Sequence, residues 1–238
     1  MTTPLLDPSR LEARRILAVA PHPDDEALGC GAVMWHLGRL GRTIHVAFVT
    51  DGGASHPNSP TWPRTRLAAA REAEGAEALA ALGLGEVGRT FMRLRDADMP
   101  AEGTPDHIAA LEAAGSVVRD VRPDLVLLPW RRDPHRDHRD AWSLFRRALN
   151  QAGLQPLTLE YAIWLDEIGA PGDHPKPGEM ERVSFAVGGA LAPKRRAVAA
   201  HRTQTEPLIH DDPTAFRLTE ATIDRLVGPV ESYWRPLS

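Results

Sequence analysis

The chain has 238 residues, 42% of them hydrophobic and 25% charged, with a formal net charge of -4. That length suits roughly one to two domains, and the composition is that of a folded protein, with no electrostatic case for nucleic acid as a partner. One cysteine, Cys30, excludes an intrachain disulfide and every multi-cysteine zinc site, while ten histidines leave His/carboxylate metal sites open.

The first apolar run is broken by Asp7, Arg10, Glu12, Arg14 and Arg15, so no export signal is expected. No stretch approaches the roughly 20 apolar residues of a membrane span. The expectation is a cytoplasmic protein with no membrane span; no feature sets an oligomeric state. Arg15 to Ala20 is a short apolar run that predicts a buried strand, and Pro21-His22-Pro23-Asp24-Asp25-Glu26 stops it. A helix is expected over 26–40, with Leu28, Val33, Leu37 and Leu40 for one face and Gly41 to end it. A β-branched run over 43–50 closes at Asp51-Gly52-Gly53, an Ala-rich helix spans about 64–82, and 89–94 is a weaker strand.

Thr104-Pro105-Asp106 has the form of a helix start, with a capping hydroxyl, Pro at the first helical position and an acid in the first turn. That helix should run to about 120. A fourth strand follows over 124–129, then the polar segment 130–138 and a helix to Asn150. Strand and helix alternating in this way predict an α/β fold with a mostly parallel sheet covered on both faces. Such sheets bind ligands at the carboxyl ends of their strands, where both His/Asp-rich segments fall. Beyond 150, strand-like runs at 157–164 and 182–187 flank a turn-rich loop and read as a small hairpin-like β excursion. We expect a single domain over 1–238, with about 155–190 a lid-like insertion. A helix over 193–203 and an amphipathic stretch over 220–227 complete the chain, whose final 30 residues otherwise read as irregular.

His22 and Asp25 lie three positions apart on a tight turn, so both can face one metal ion, and imidazole nitrogen with carboxylate oxygen suits zinc. Asp24 and Asp25 would equally cap a helix and offset its dipole. Asp133-Pro134-His135-Arg136-Asp137-His138 places two histidines and two aspartates at the same end of the sheet. His22, Asp25 and one of His135 or His138 would leave a zinc coordination position open, as catalytic sites require. Asp24 then remains as a general base, and the second histidine can stabilise an oxyanion.

These motifs, with Thr50-Asp51-Gly52, Arg71-Glu72-Ala73-Glu74 and His201-Arg202-Thr203-Gln204, resemble the signatures of the LmbE-like/PIG-L family of metal-dependent N-deacetylases. The resemblance covers about residues 15–204. It implies a Rossmann-like three-layer domain and zinc-dependent removal of an acetyl group from an N-acetylglucosamine-type sugar conjugate, a small-molecule substrate. It also implies His22, Asp25 and His138 as metal ligands, Asp24 as general base, a protonated His135 against the oxyanion and Asp137 as its tuner. Zn2+ is expected, and another divalent ion such as Fe2+ would fit the same ligands. Arg136 stands where family members commonly have Pro, which could stiffen the loop differently or bring positive charge to the substrate.

Arg71, Asp51, Asp96 and Trp130 are the candidate substrate-binding residues, and Arg131 and Arg132 could select an acidic aglycone. His45 and His201 read as structural, as does Cys30. The alternatives are a metal hydrolase for another amide or ester, and a non-catalytic sugar-binding protein on the same scaffold.

Overall fold

A computed structural model describes residues 5–237. One eight-stranded sheet, in the order β1-β7-β8-β6-β5-β2-β3-β4, runs through the molecule. Its parallel heart consists of β2 (Arg15–Ala20), β3 (Thr43–Thr50), β4 (Gly88–Leu94), β5 (Leu125–Pro129) and β6 (Leu157–Tyr161). β2 and β5 are buried along nearly their whole length, as their unbroken apolar runs require for a sheet covered on both faces.

Helices α1 (Asp25–Arg39), α2 (Arg64–Ala81) and α6 (Leu191–Ala200) pack on one face; α3 (Pro105–Val121) and α4 (Arg136–Gln151) pack on the other. Short helices α5 (Leu165–Ile168), α7 (Arg202–Thr205) and α8 (Glu220–Leu226) join the remaining segments. Thr104 caps α3 as its sequence predicts, accepting from the His107 amide at 3.2 Å. Gly29 allows α1 to sit close on the sheet, because a Cβ there would collide with the Tyr161 ring. At Gly31 a Cβ would meet only ordinary contacts at 3.6 Å and beyond.

The expected hairpin does not form. β7 (Met180–Ala186) and β6 are separated by β8 (Val230–Pro236), which is antiparallel to both. The segment around 155–190 is therefore woven into the sheet. β8 arises from residues read as irregular, because a glutamate occupies one of its core positions: Glu231 is buried, bonded to Lys194 Nζ at 2.5 Å and to the amides of Ala32 and Val33 at 2.8 Å. β1 (Leu5–Leu6) was not expected either; it adds two residues beside β7.

β2 has β3 on one side and β5 on the other, so the chain leaves it in one direction and later returns on the opposite flank. The loops after β2 and β5 therefore diverge, which opens a crevice at the carboxyl ends of the strands. Among the described residues, no helix is long and apolar enough to cross a membrane.

Candidate active site

The loops after β2, β3, β4 and β5 surround a cavity of about 210 Å³, with His22, Asp24, Asp25, Arg71, Asp96 and His135 in its lining. The turn after β2 is anchored through the Pro21 carbonyl, which accepts from the Thr50 amide and hydroxyl at 2.9 Å. Asp24 precedes α1 but makes no side-chain cap; its backbone stands at φ +144° and ψ -30°. Such a conformation costs a non-glycine residue about 1–3 kcal/mol and persists only where surrounding contacts enforce it. Arg71 supplies three of these contacts, donating to Pro23 O at 2.7 Å, Gly52 O at 2.9 Å and Asp24 Oδ2 at 3.0 Å. Gly52 is at φ +64° and faces the guanidinium, 2.9 Å from where a Cβ would stand.

The second motif is built around Asp133. This buried carboxylate accepts the amides of His135 at 3.0 Å, Ile163 at 3.3 Å and Trp164 at 3.2 Å, and lies 3.6 Å from His138 Nδ1. His135 caps α4, its Nδ1 accepting from the Asp137 amide at 3.2 Å, which leaves the Nε2 proton for the cavity side of a neutral ring. Asp137 and His138 occupy the buried first turn of α4.

The histidines and carboxylates converge. Asp25 Oδ2 lies 3.2 Å from His22 Nδ1 and 3.2 Å from His138 Nε2. On the other edge of the His22 ring, Nε2 is 3.2 Å from Asp137 Oδ2 and 3.3 Å from Asp96 Oδ1. Burial disfavours the His22 cation, but Asp137, Asp25 and Asp96 outweigh it and hold the pKa well above the usual imidazole value. Burial likewise opposes the His138 cation, yet Asp25 and Asp133 raise its pKa to about 9. Burial, with His22 and His138 adding positive charge nearby, pushes His135 down to about 4. This shift, with the Nδ1 hydrogen bond from the Asp137 amide, runs against the protonated His135 expected above. Burial lifts Asp24 to about 6 against the pull of Arg71.

These donors fit a divalent metal. Ring nitrogens of His22, His135 and His138 lie within 4.8 Å of one another, and so do donor atoms of His22, Asp96 and Asp137. Both His138 nitrogens are buried without a properly aligned hydrogen-bond partner, an expensive state for polar atoms unless something coordinates them. Nitrogen and oxygen donors without thiolate are the set that zinc and its divalent neighbours accept.

Two substrate candidates leave the site. Asp51 spends its carboxylate on Arg64 (2.6 and 3.2 Å) and on the amides of Gly53 and Asp96 (3.0 and 3.2 Å), so it braces the loop. Trp130 is fully buried against Leu165 and Met180, with Nε1 donating to Asp173 O at 2.8 Å, and offers no face to a sugar. Arg131 and Arg132 are neutralised by Glu160 at 2.5 Å and Glu179 at 2.7 Å. Arg136 turns outward to Asp140, away from the cavity. Arg71 and Asp96 do line the cavity, but protein partners engage both. The Asp137 carboxylate bears on His22 and the Ala97 amide, while only its backbone holds His135.

Sequence reasoning passed over Asp133, Trp164 and Phe216. Asp133 lay within the second motif and was legible as a carboxylate two residues ahead of its histidine. Trp164 and Phe216, 5.6 Å apart in an edge-to-face pair, form an apolar wall of the cavity. Phe216 comes from a stretch without pattern and is held by its amide on Ser55 O at 2.9 Å.

A mostly parallel, three-layer α/β sheet with a His/Asp donor set at its switch point defines the class. The model of the PIG-L family, described as GlcNAc-PI de-N-acetylase, matches residues 17–149, and the chain belongs to that family. It is 29% identical to 1D-myo-inositol 2-acetamido-2-deoxy-alpha-D-glucopyranoside deacetylase of Rhodococcus opacus (strain B4), over 82% of each chain. It is 30% identical to 2'-N-acetylparomamine deacetylase of Streptomyces fradiae, over 64% of this chain and 57% of that one. Its fold resembles N,N'-diacetylchitobiose deacetylase from Pyrococcus horikoshii, with a TM-score of 0.67 and 18% identity over 95% of this chain and 84% of the other.

Proposed function

We propose that the chain is a metal-dependent hydrolase that removes the acetyl group from the amino nitrogen of an N-acetylglucosamine-type sugar conjugate. The observation that carries this reading is the junction of two motifs: Asp24 and His135 line one cavity beside the convergence of His22 and His138 on Asp25. The deacetylase activity named for both relatives supports it.

His22, Asp25 and His138 would hold the ion, Zn2+ by preference and Fe2+ as the alternative. Once bound, it supplies Lewis-acid polarisation of the acetyl carbonyl and acidifies the attacking water. Asp24, fixed by Arg71, takes the proton of that water as it attacks the amide carbon. His135 donates its Nε2 proton as a hydrogen bond to the developing oxyanion, while the Asp137 amide keeps Nδ1 from carrying the proton. Asp24 then passes its proton to the departing amine, which leaves acetate and the free amino sugar. The Trp164–Phe216 wall gives the apolar C–H face of a pyranose a surface to lie against. A purely sugar-binding protein would have no use for a carboxylate beside the donor set.

The test is acetate release from a panel of N-acetylglucosaminides, read together with metal content. Acetate and amine should appear in equal amounts from a metal-loaded chain. Full metal loading with no acetate from any glycoside would replace this reading by a hydrolase for another amide or ester, or by a binding protein.

A further inference from the structure

We infer that the buried Glu26–His201 pair positions Asp24, holding the residue in a backbone conformation that it would otherwise leave. The inference rests on the reading of Asp24 as the general base. It concerns residues that take no part in the chemistry just described.

Asp24, at φ +144°, needs partners on its backbone as well as on its side chain. Its amide donates to Glu26 Oε2 at 2.9 Å, and its carbonyl accepts from Ala27 and Leu28 at 3.1 and 2.9 Å. The other oxygen of Glu26 lies 2.8 Å from His201 Nε2. Glu26 and His201 are both fully buried, so each carboxylate oxygen has one assigned partner and no solvent to exchange it for. A buried ionic pair of this kind contributes little stability beyond what apolar residues of the same size would give. Its specific contribution is geometric: the carboxylate cannot turn without giving up His201, and the Asp24 amide cannot swing away without losing the carboxylate.

His201 is suited to the task by its place in the chain. It sits at the break between α6 and α7, at φ -79° and ψ 60°, with its carbonyl accepting the amides of Gln204 and Thr205 at 2.9 and 3.0 Å. Two residues on, Thr203 donates its amide and hydroxyl to the Glu74 carboxylate at 2.9 and 2.6 Å. Glu74 follows Arg71 by three positions on α2, on the same side of that helix. The short turn over 201–203 therefore braces both supports of Asp24: directly through Glu26, and through the helix that presents Arg71. This turn lies outside residues 17–149, the segment that matches the family model. The base is thus set by a part of the chain remote in sequence from both chemical motifs.

The experiment compares His201→Leu, which keeps apolar bulk and removes the N–H donor, with His201→Gln, which restores a donor. Hydrogen exchange at the Asp24 amide is followed by NMR in the full chain, alongside metal content, kcat and KM. The Asp24 amide should be among the slowly exchanging amides of the unmodified protein. His201→Leu should speed its exchange and lower kcat by about 10- to 100-fold, the scale of a small misplacement of a reacting group. KM and metal content should stay as they were, and His201→Gln should recover most of both losses. Rapid exchange at Asp24 in the unmodified protein overturns the inference even if no variant folds. Unchanged exchange and kcat in His201→Leu overturn it too, as does loss of metal from that variant, which would place the effect on Asp25. If the unmodified protein releases no acetate from any glycoside, the deacetylase reading falls, while the exchange measurement still decides whether His201 holds Asp24 in place.

Discussion

The Arg71 guanidinium meets the Asp24 carboxylate at 3.0 Å, with side chains only 3% and 8% exposed. Arg71 also binds the Pro23 and Gly52 carbonyls, so it is committed to the protein before any ligand arrives. Replacing it by methionine strips a buried carboxylate of its counter-charge. Arg71→Met should lose about 3 kcal/mol in denaturant unfolding, with kcat falling and KM nearly kept. A variant with normal kcat and a raised KM would return Arg71 to the role of substrate ligand.

Asp24 and His138 separate the chemistry from the metal. Asp24→Asn keeps an oxygen for Arg71 and should retain full metal content while turnover falls by about 10²- to 10⁴-fold. His138→Ala removes a proposed ligand and should lose the ion itself, as measured by elemental analysis after dialysis. Chelation of the unmodified protein should abolish acetate release, and added zinc or ferrous ion should restore it. Full turnover in Asp24→Asn would end the general-base assignment.

The close approach of α1 to β6 is tested at Gly29. A single methyl group there meets the Tyr161 ring, whose hydroxyl is itself tied to Val19 O at 2.6 Å, so the ring cannot simply rotate away. Gly29→Ala should destabilise the fold by about 1–3 kcal/mol in spite of its better helix propensity. A more stable variant would show that the ring has room to move.

Glu179 offers a pH test away from the metal site. The Arg132 guanidinium, helped by the Lys176 amide, lowers its pKa from 4.5 to about 2. A depressed folded-state pKa stabilises the fold above the unfolded value and loses that contribution as pH falls from about 4.5 towards 2. Glu179→Gln should therefore flatten the decline in melting temperature across that window. An identical decline in both proteins would show that the pair contributes nothing.

The parallel core was legible because its strands are continuous apolar runs and its helices begin and end at recognisable residues. The meeting of His22 with His138 was legible for the same reason, since both motifs terminate adjacent parallel strands. What escaped depended on partners distant in sequence. Glu231 looks like a surface residue until Lys194 and the α1 amides are placed against it, and with it β8 was lost. Asp51 and Trp130 have suitable types at suitable strand ends. Only three-dimensional packing shows that Arg64 consumes the first and that Leu165 and Met180 bury the second. Phe216 carries no local pattern at all; its position follows from one backbone bond to Ser55.

The interposition of β8 between β6 and β7 has a consequence for how the protein is made. Residues 157–186 leave the ribosome well before 230–236, so β6 and β7 must wait as open edges for the strand that joins them. During that interval the parallel half can assemble by itself, while β1 and β7 have only each other to pair with. An unfilled slot between two strand edges is a place where chains pair with one another by mistake. Nascent chains arrested before residue 230 should therefore be more prone to aggregate than chains that have passed it.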